Sequence, residues 1–158
     1  MPRPEPASGS LSVVARAEHS RTGCPPPPPP PPPRTDQQQR ALQRLPAYLC
    51  ALHHKGVYCK ALHLGQILVQ ADGSFALIDI HSSKFRARPI SVNHRISHFF
   101  NTLRYAEDRA SLTRYGLARF FGDYLQGCQL GEKHQAKLLS KLRNSSSFPE
   151  LEQALGDL

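Results

Sequence analysis

Nine consecutive prolines, Pro25 to Pro33, constrain this chain more than any other feature. Each lacks a backbone N–H and fixes φ, so the run can join neither a helix interior nor a central strand. It reads as a polyproline II rod between disordered flanks. The residues before it are rich in Pro, Ser, Arg and Gly, and their one apolar stretch is Leu11-Ser12-Val13-Val14-Ala15. Residues 1–40 therefore read as a disordered, low-complexity leader, and residues 41–158 as one folded domain. Such a rod can act as a stiff spacer or an SH3-type ligand. Nothing else in the chain points to a signalling partner, so a tail without a role is the simpler reading.

The leader has no apolar core of the kind a secretory signal needs. No run approaches the roughly 18–20 apolar residues that cross a bilayer. The four cysteines, Cys24, Cys50, Cys59 and Cys128, match no C-x-x-C or zinc spacing. These features predict a cytoplasmic protein with reduced thiols and no transmembrane segment, leaving peripheral contact with an inner membrane open. The net charge of +8 points to an anionic partner (nucleic acid, a membrane surface or a phosphorylated glycolipid), and reads equally as that of a basic soluble protein without one. With no tryptophan and only 8% aromatics, the chain lacks the basic and aromatic interleaving of a single-strand nucleic-acid binder.

From Leu42 the texture changes. Leu42, Leu45, Leu49 and Leu52 fall on one helical face. The predicted helix starts near Pro46, with proline in its first turn, and stops at Gly56. His53, His54 and Lys55 then lie in the last turn, where positive charge suits the helix dipole. Val57-Tyr58-Cys59 is a short extended piece, and Lys60 to Gln66 a loop. Ile67-Leu68-Val69 reads as a strand, Ala71 to Ser74 as a D-G turn, and Phe75 to Ile80 as a second strand. Asp79 sits near the end of that apolar strand, where burial without a partner would be costly, which marks it as a site candidate. Lys84, Arg86 and Arg88 follow in a loop closed by Pro89. Beyond it, Ile96, Phe99, Phe100 and Leu103 share one helix face. Leu117, Phe120, Phe121, Tyr124 and Leu125 mark another helix, ended by Gly127. Shorter helices are predicted at Lys137–Leu142 and Leu151–Leu155. The fold class is α+β: mostly helical, with one β-hairpin.

The order helix, loop, hairpin, loop, several helices is that of a protein-kinase C-terminal lobe. There, H-R-D-x-x-x-x-N precedes a hairpin and D-F-G. Here the interval from Ala61 to Gln66 equals that from Asp to Asn in the loop motif, and Asp79-Ile80-His81 stands at the D-F-G position. A carboxylate at a strand end suits magnesium bridging nucleotide phosphates, a role open to Asp79. Gln66 offers the amide of the usual Asn on a longer arm. Ala61 stands where the proton-accepting Asp would be. His63 is the only nearby side chain able to take a proton near neutral pH, and is otherwise a loop histidine that packs or hydrogen-bonds.

Gly56-Val57-Tyr58-Cys59-Lys60-Ala61-Leu62-His63-Leu64-Gly65-Gln66-Ile67-Leu68, followed by Leu77-Ile78-Asp79-Ile80, resembles the lipopolysaccharide kinase (Kdo/WaaP) family. The closest branch is the InaA-like, or toluene-tolerance, one. The likeness covers about Leu45 to Leu125. It implies a kinase-like C-terminal lobe, ATP and Mg2+ as cofactors, and phosphoryl transfer to a sugar hydroxyl of the lipopolysaccharide core, a heptose or Kdo. Lys84, Arg86 and Arg88 would then meet an anionic glycolipid, with Arg95 and Arg104 as lesser contributors. They read equally well as a solvated basic loop. The family's N-terminal lobe carries a Gly-rich loop and a strand lysine, and neither stands upstream of Leu42. The expectation is a truncated or mis-started chain with an impaired nucleotide site. Two alternatives stand beside it: a non-catalytic kinase-like stress-response or scaffold protein, and a basic polyanion-binding helical module.

Overall fold

The computed structural model describes Gly9–Ser10 and residues 36–158. The polyproline run lies outside the described residues. The first helix, α1, spans Asp36–His54, so helical structure begins inside the stretch read as leader. Then come β2 Val57–Cys59, β3 Ile67–Val69, β4 Phe75–Leu77 and β5 Ser83–Phe85. Five helices complete the chain: α2 Val92–Arg104, α3 Ala106–Tyr115, α4 Leu117–Cys128, α5 Glu132–Arg143 and α6 Glu150–Leu155. The described domain is α+β and mostly helical, as the sequence implied.

Pro46 departs from expectation. It lies in the interior of α1, not in its first turn. Its missing N–H removes one rung of the helix ladder, at a cost of roughly 3 kcal/mol. The helix persists because Ala41, Leu42 and Leu45 before it, and Leu49 and Cys50 after it, are all buried. Each large side chain stabilises by about 1.5–3 kcal/mol on burial, which outweighs the lost rung. This stripe packs along α4, the most extensive helix pairing in the fold. Phe99 of α2 stands among the rings of that interface, edge-on to Tyr124 at 4.8 Å and to Phe121 at 5.0 Å.

Two small antiparallel sheets lie beside the helices. In one, β3 pairs with β4, with Leu68 opposite Ala76, and Gly9–Ser10 (β1) adds to the other edge of β3. In the other, β2 pairs with β5, with Tyr58 opposite Lys84. Strand β4 ends at Leu77, three residues before the predicted Ile80. Ile80–Ser82 instead form a 3-10 turn. Helix α4 continues through Gly127 to Cys128, and its cap residue Gln129 takes the left-handed conformation. Helix α3 had no counterpart among the predicted elements.

Gly56 controls the crossing between α1 and the basic segment. Its φ is +76°, and a Cβ there would run into the carbonyl oxygens of Arg86 and Arg88. The Gly56 carbonyl accepts from the Arg86 N–H at 3.0 Å. Only glycine permits this approach. The expectation of reduced thiols is also corrected. Cys50 on α1 and Cys128 on α4 form a disulfide, their Cα atoms 5.2 Å apart, while Cys59 is free and buried. The pairing links two packed helices whose cysteines are far apart in sequence, so no spacing motif could have shown it.

Candidate functional site

The loop from Lys60 to Gln66 is clamped from one side by α2 and α3. Asn101 Nδ2 donates to the Lys60 carbonyl at 2.7 Å. The Thr102 hydroxyl sits 3.2 Å from the Leu62 carbonyl and 3.1 Å from that of His98, donating to one at a time. The Leu64 N–H donates to Asp108 Oδ2 at 2.7 Å. The anchors fall on alternate residues, and Leu62 and Leu64 are buried. Ala61 and His63 between them are left toward solvent. Burial pushes the Asp108 carboxyl above its ordinary value, while the Leu64 N–H and nearby His63 hold it down. None of these clamping residues was a site candidate in the sequence.

The clamp sets the chemistry of His63. The side chain caps the 3-10 turn Leu64–Gln66, and its Nδ1 accepts from the Gly65 N–H at 3.1 Å. A neutral imidazole has one acceptor nitrogen, and here the backbone takes it. His63 therefore turns Nε2–H outward, beside the Tyr105 ring at 4.8 Å. The side chain offers a hydrogen-bond donor, not the free base nitrogen expected of a proton acceptor. Ala61 is exposed and contributes no ionisable group.

The hairpin brings the loop's end to Asp79. The β3–β4 ladder pairs Ile67 with Leu77, and the Ile78 N–H donates to the Gln66 carbonyl at 2.9 Å. Asp79 follows at φ 58°, ψ 46°, the left-handed region that few non-glycine residues occupy. Such conformations cluster at functional sites. Its carboxylate is half exposed and lies 2.7 Å from His81 Nδ1. Burial, the original reason for singling out Asp79, is thus not its situation; backbone conformation is the better signal. Gln66 keeps only 8% of its surface, so its amide is not held out in solvent beside Asp79. Lys84, Arg86 and Arg88 are exposed, and none pairs with a carboxylate among the described residues.

Arg95 does not join them. It is 2% exposed; its Nε donates to the Ile90 carbonyl at 3.3 Å and its Nη1 to the Tyr124 hydroxyl at 3.0 Å. Arg104 is exposed at the end of α2. Tyr124 instead belongs to a buried relay under the loop. The Cys59 N–H donates to His98 Nε2 at 2.8 Å. Neutral His98 must then carry its proton on Nδ1, which donates to His53 Nε2 at 2.8 Å. His53 in turn donates from Nδ1 to the Tyr124 hydroxyl at 2.6 Å. One backbone N–H thus fixes both tautomers. Burial, reinforced by His98 and then Arg95, holds the His53 pKa well below 6.5; burial and then His94 lower His98 to about 4. Burial raises Tyr124 to about 12. His53 was expected to be charged at the helix end, and the structure makes it a neutral core residue.

No family model, curated protein or solved structure matches the chain. The site must be read from its own chemistry. Magnesium carried by nucleotide phosphates needs only one or two protein carboxylates, and Asp79 fits that role as a single hard donor. Among the described residues, no three His, Cys, Asp or Glu side chains cluster to hold a metal alone. Among the described residues, surface clefts lie between α1 and the β3–β4 turn around Arg40 and Arg44, and beside Phe100 and Phe148.

Proposed function

We propose that this chain is a kinase-like lobe of the lipopolysaccharide-core type, whose chemistry is ATP-dependent phosphoryl transfer to a sugar hydroxyl. The observation that supports it is the join of a side-chain-clamped loop, through a two-stranded ladder, to an acid in the left-handed conformation. Phosphoryl transfer depends mainly on positioning and electrostatics, so a rigid loop beside a carboxylate is the suitable apparatus. In this reading Asp79 holds the magnesium of the nucleotide, which neutralises phosphate charge. The outward Nε2–H of His63 donates to a phosphate or sugar oxygen. Lys84, Arg86 and Arg88 face the anionic acceptor. Calorimetric titration of the chain with Mg-ATP tests it. Heat that vanishes in Asp79→Ala supports the assignment, and equal heats from both proteins remove Asp79 from the site.

A second reading is a non-catalytic kinase-like protein, favoured by the exposed Ala61 at the proton-acceptor position and by the engaged Nδ1 of His63. It predicts nucleotide binding without turnover. ATP hydrolysis or transfer by the purified chain, lost in Asp79→Ala, would count against it.

A further inference from the structure

Ile78, Ile80 and Phe85 remain 42%, 48% and 64% exposed, an unusual concentration of large apolar surface in so short a segment. Lys84 and Arg86 flank Phe85, and Arg88 follows two residues on. The segment's one acid is Asp79, whose carboxylate lies 2.7 Å from His81 Nδ1. From Ile78 to Pro89 every residue except Ser83 is exposed. The segment is nonetheless fixed in place. Strand β5 is paired to β2, the Arg86 N–H to Gly56, and the Ile90 N–H to the His53 carbonyl at 2.9 Å. Among the described residues β5 is paired on one edge only, so Lys84 and Phe85 flank a free strand edge.

We propose that the edge from Ile78 to Arg88 docks on the surface of an anionic lipid bilayer. Ile78, Ile80 and Phe85 enter the interfacial layer, and Lys84, Arg86 and Arg88 meet lipid phosphates. The charge pattern selects this occupant. Three cations stand beside three large apolar side chains, and a bilayer boundary places phosphate directly over acyl chain and accommodates both kinds of side chain at once. The inference places the glycolipid-facing side of the proposed function, yet it stands on exposure and charge and needs no nucleotide.

The test is co-sedimentation of the full chain with phosphatidylcholine vesicles, with and without phosphatidylglycerol. Binding is expected only to the anionic vesicles, falling as salt rises. Each cation near such a surface contributes about 1 kcal/mol, and 1.4 kcal/mol is tenfold, so Lys84→Ala/Arg86→Ala/Arg88→Ala lowers partitioning about 100-fold. Removing the same charge from α5, as Lys133→Ala/Lys137→Ala/Lys141→Ala, has only a small effect. Equal losses from the two triple variants would leave net charge as the sole cause and overturn the proposal. So would absence of binding, or a dimer abolished by Phe85→Ser while vesicle binding persists, which would give the edge to a second copy of the chain. The chain has no tryptophan, so Phe85→Trp is a single reporter. A blue shift on anionic vesicles supports insertion, and unchanged emission refutes it. Asp79→Ala, which removes the nucleotide carboxylate, leaves vesicle binding at least as strong, so the two readings fail separately.

Discussion

Acid should unfold this protein through His98. Its imidazole is 2% exposed and stacked on Tyr58 at 4.9 Å, with rings nearly parallel. The groups facing it are His53, His94 and the Cys59 N–H, with Arg95 and Tyr124 one step further along the relay. A proton on Nε2 would set two N–H groups against each other and leave a charge in the core. The folded-state pKa is accordingly lowered to about 4 from 6.5. The unfolded chain takes up the proton first, so acid favours unfolding. The stability tied to neutral His98 is complete above about pH 6.5 and drains away as pH falls toward 4. Between pH 7 and pH 5 the loss works out at about 2 kcal/mol, and His53, lowered in the same direction, adds to it. For a domain of this size that is roughly 6–10 °C in Tm. Urea unfolding at both pH values measures it, on wild type and on His98→Gln. Glutamine keeps an amide oxygen for the Cys59 N–H and an NH2 for His53, but does not titrate. The variant is expected to start less stable, having lost the Tyr58 stack, and to show a pH slope smaller by about 2 kcal/mol over the interval. Equal slopes, or an NMR titration of the His98 ring near 6.5, would refute the argument.

Asp108→Ala leaves the buried Leu64 N–H without an acceptor and should cost about 1–3 kcal/mol, with faster amide exchange across Leu62–Gln66; Asp108→Asn, which keeps an acceptor oxygen, should lose less. Because the Asp108 carboxyl is raised, its own contribution runs opposite to that of the histidines, weakening as pH rises through its folded value, and the variant should remove that slope. Gly56→Ala combines a left-handed penalty of roughly 1–2 kcal/mol with backbone overlap at Arg86, so a lower urea midpoint or failure to fold is expected, and an unchanged midpoint would contradict the crossing. Reduction, or Cys50→Ser/Cys128→Ser, opens a link between residues 78 apart and should lower stability by up to about 4 kcal/mol, read as a reductant-dependent Tm.

The hairpin was legible because its signals are local. The D-G turn and the apolar runs on either side sit within one short stretch of chain, and the β3–β4 register follows from them. The α1 stripe was legible for the same reason, although its proline was placed wrongly because packing against α4 overrode a local penalty. Helix α3 escaped notice because its few apolar residues, among them Ala106, Leu112 and Tyr115, make no clear stripe between charged neighbours. At the site, the loop spacing and Asp79 could be found from the chain, but their surroundings could not. Asn101, Thr102 and Asp108 act on residues some forty positions away, and no window of sequence contains both partners.

A signal for one of them, Thr102, did exist on α2. The buried residues of that helix are Arg95, Ile96, His98, Phe99, Thr102 and Leu103, a stripe at three- and four-residue spacing. Reading only its apolar members gives a helix face and nothing more. Completing the stripe by geometry places an arginine, a histidine and a threonine on the same buried side. Buried polar groups must find partners. Each of the three has one, and between them they hold the Ile90 carbonyl, the Cys59 N–H and the Leu62 carbonyl, the backbone that bounds the loop and the basic segment. Polar residues inside a helix's apolar stripe are therefore the sequence feature that pointed to how this edge is held rigid, and substituting them would loosen the site without touching a residue that faces solvent.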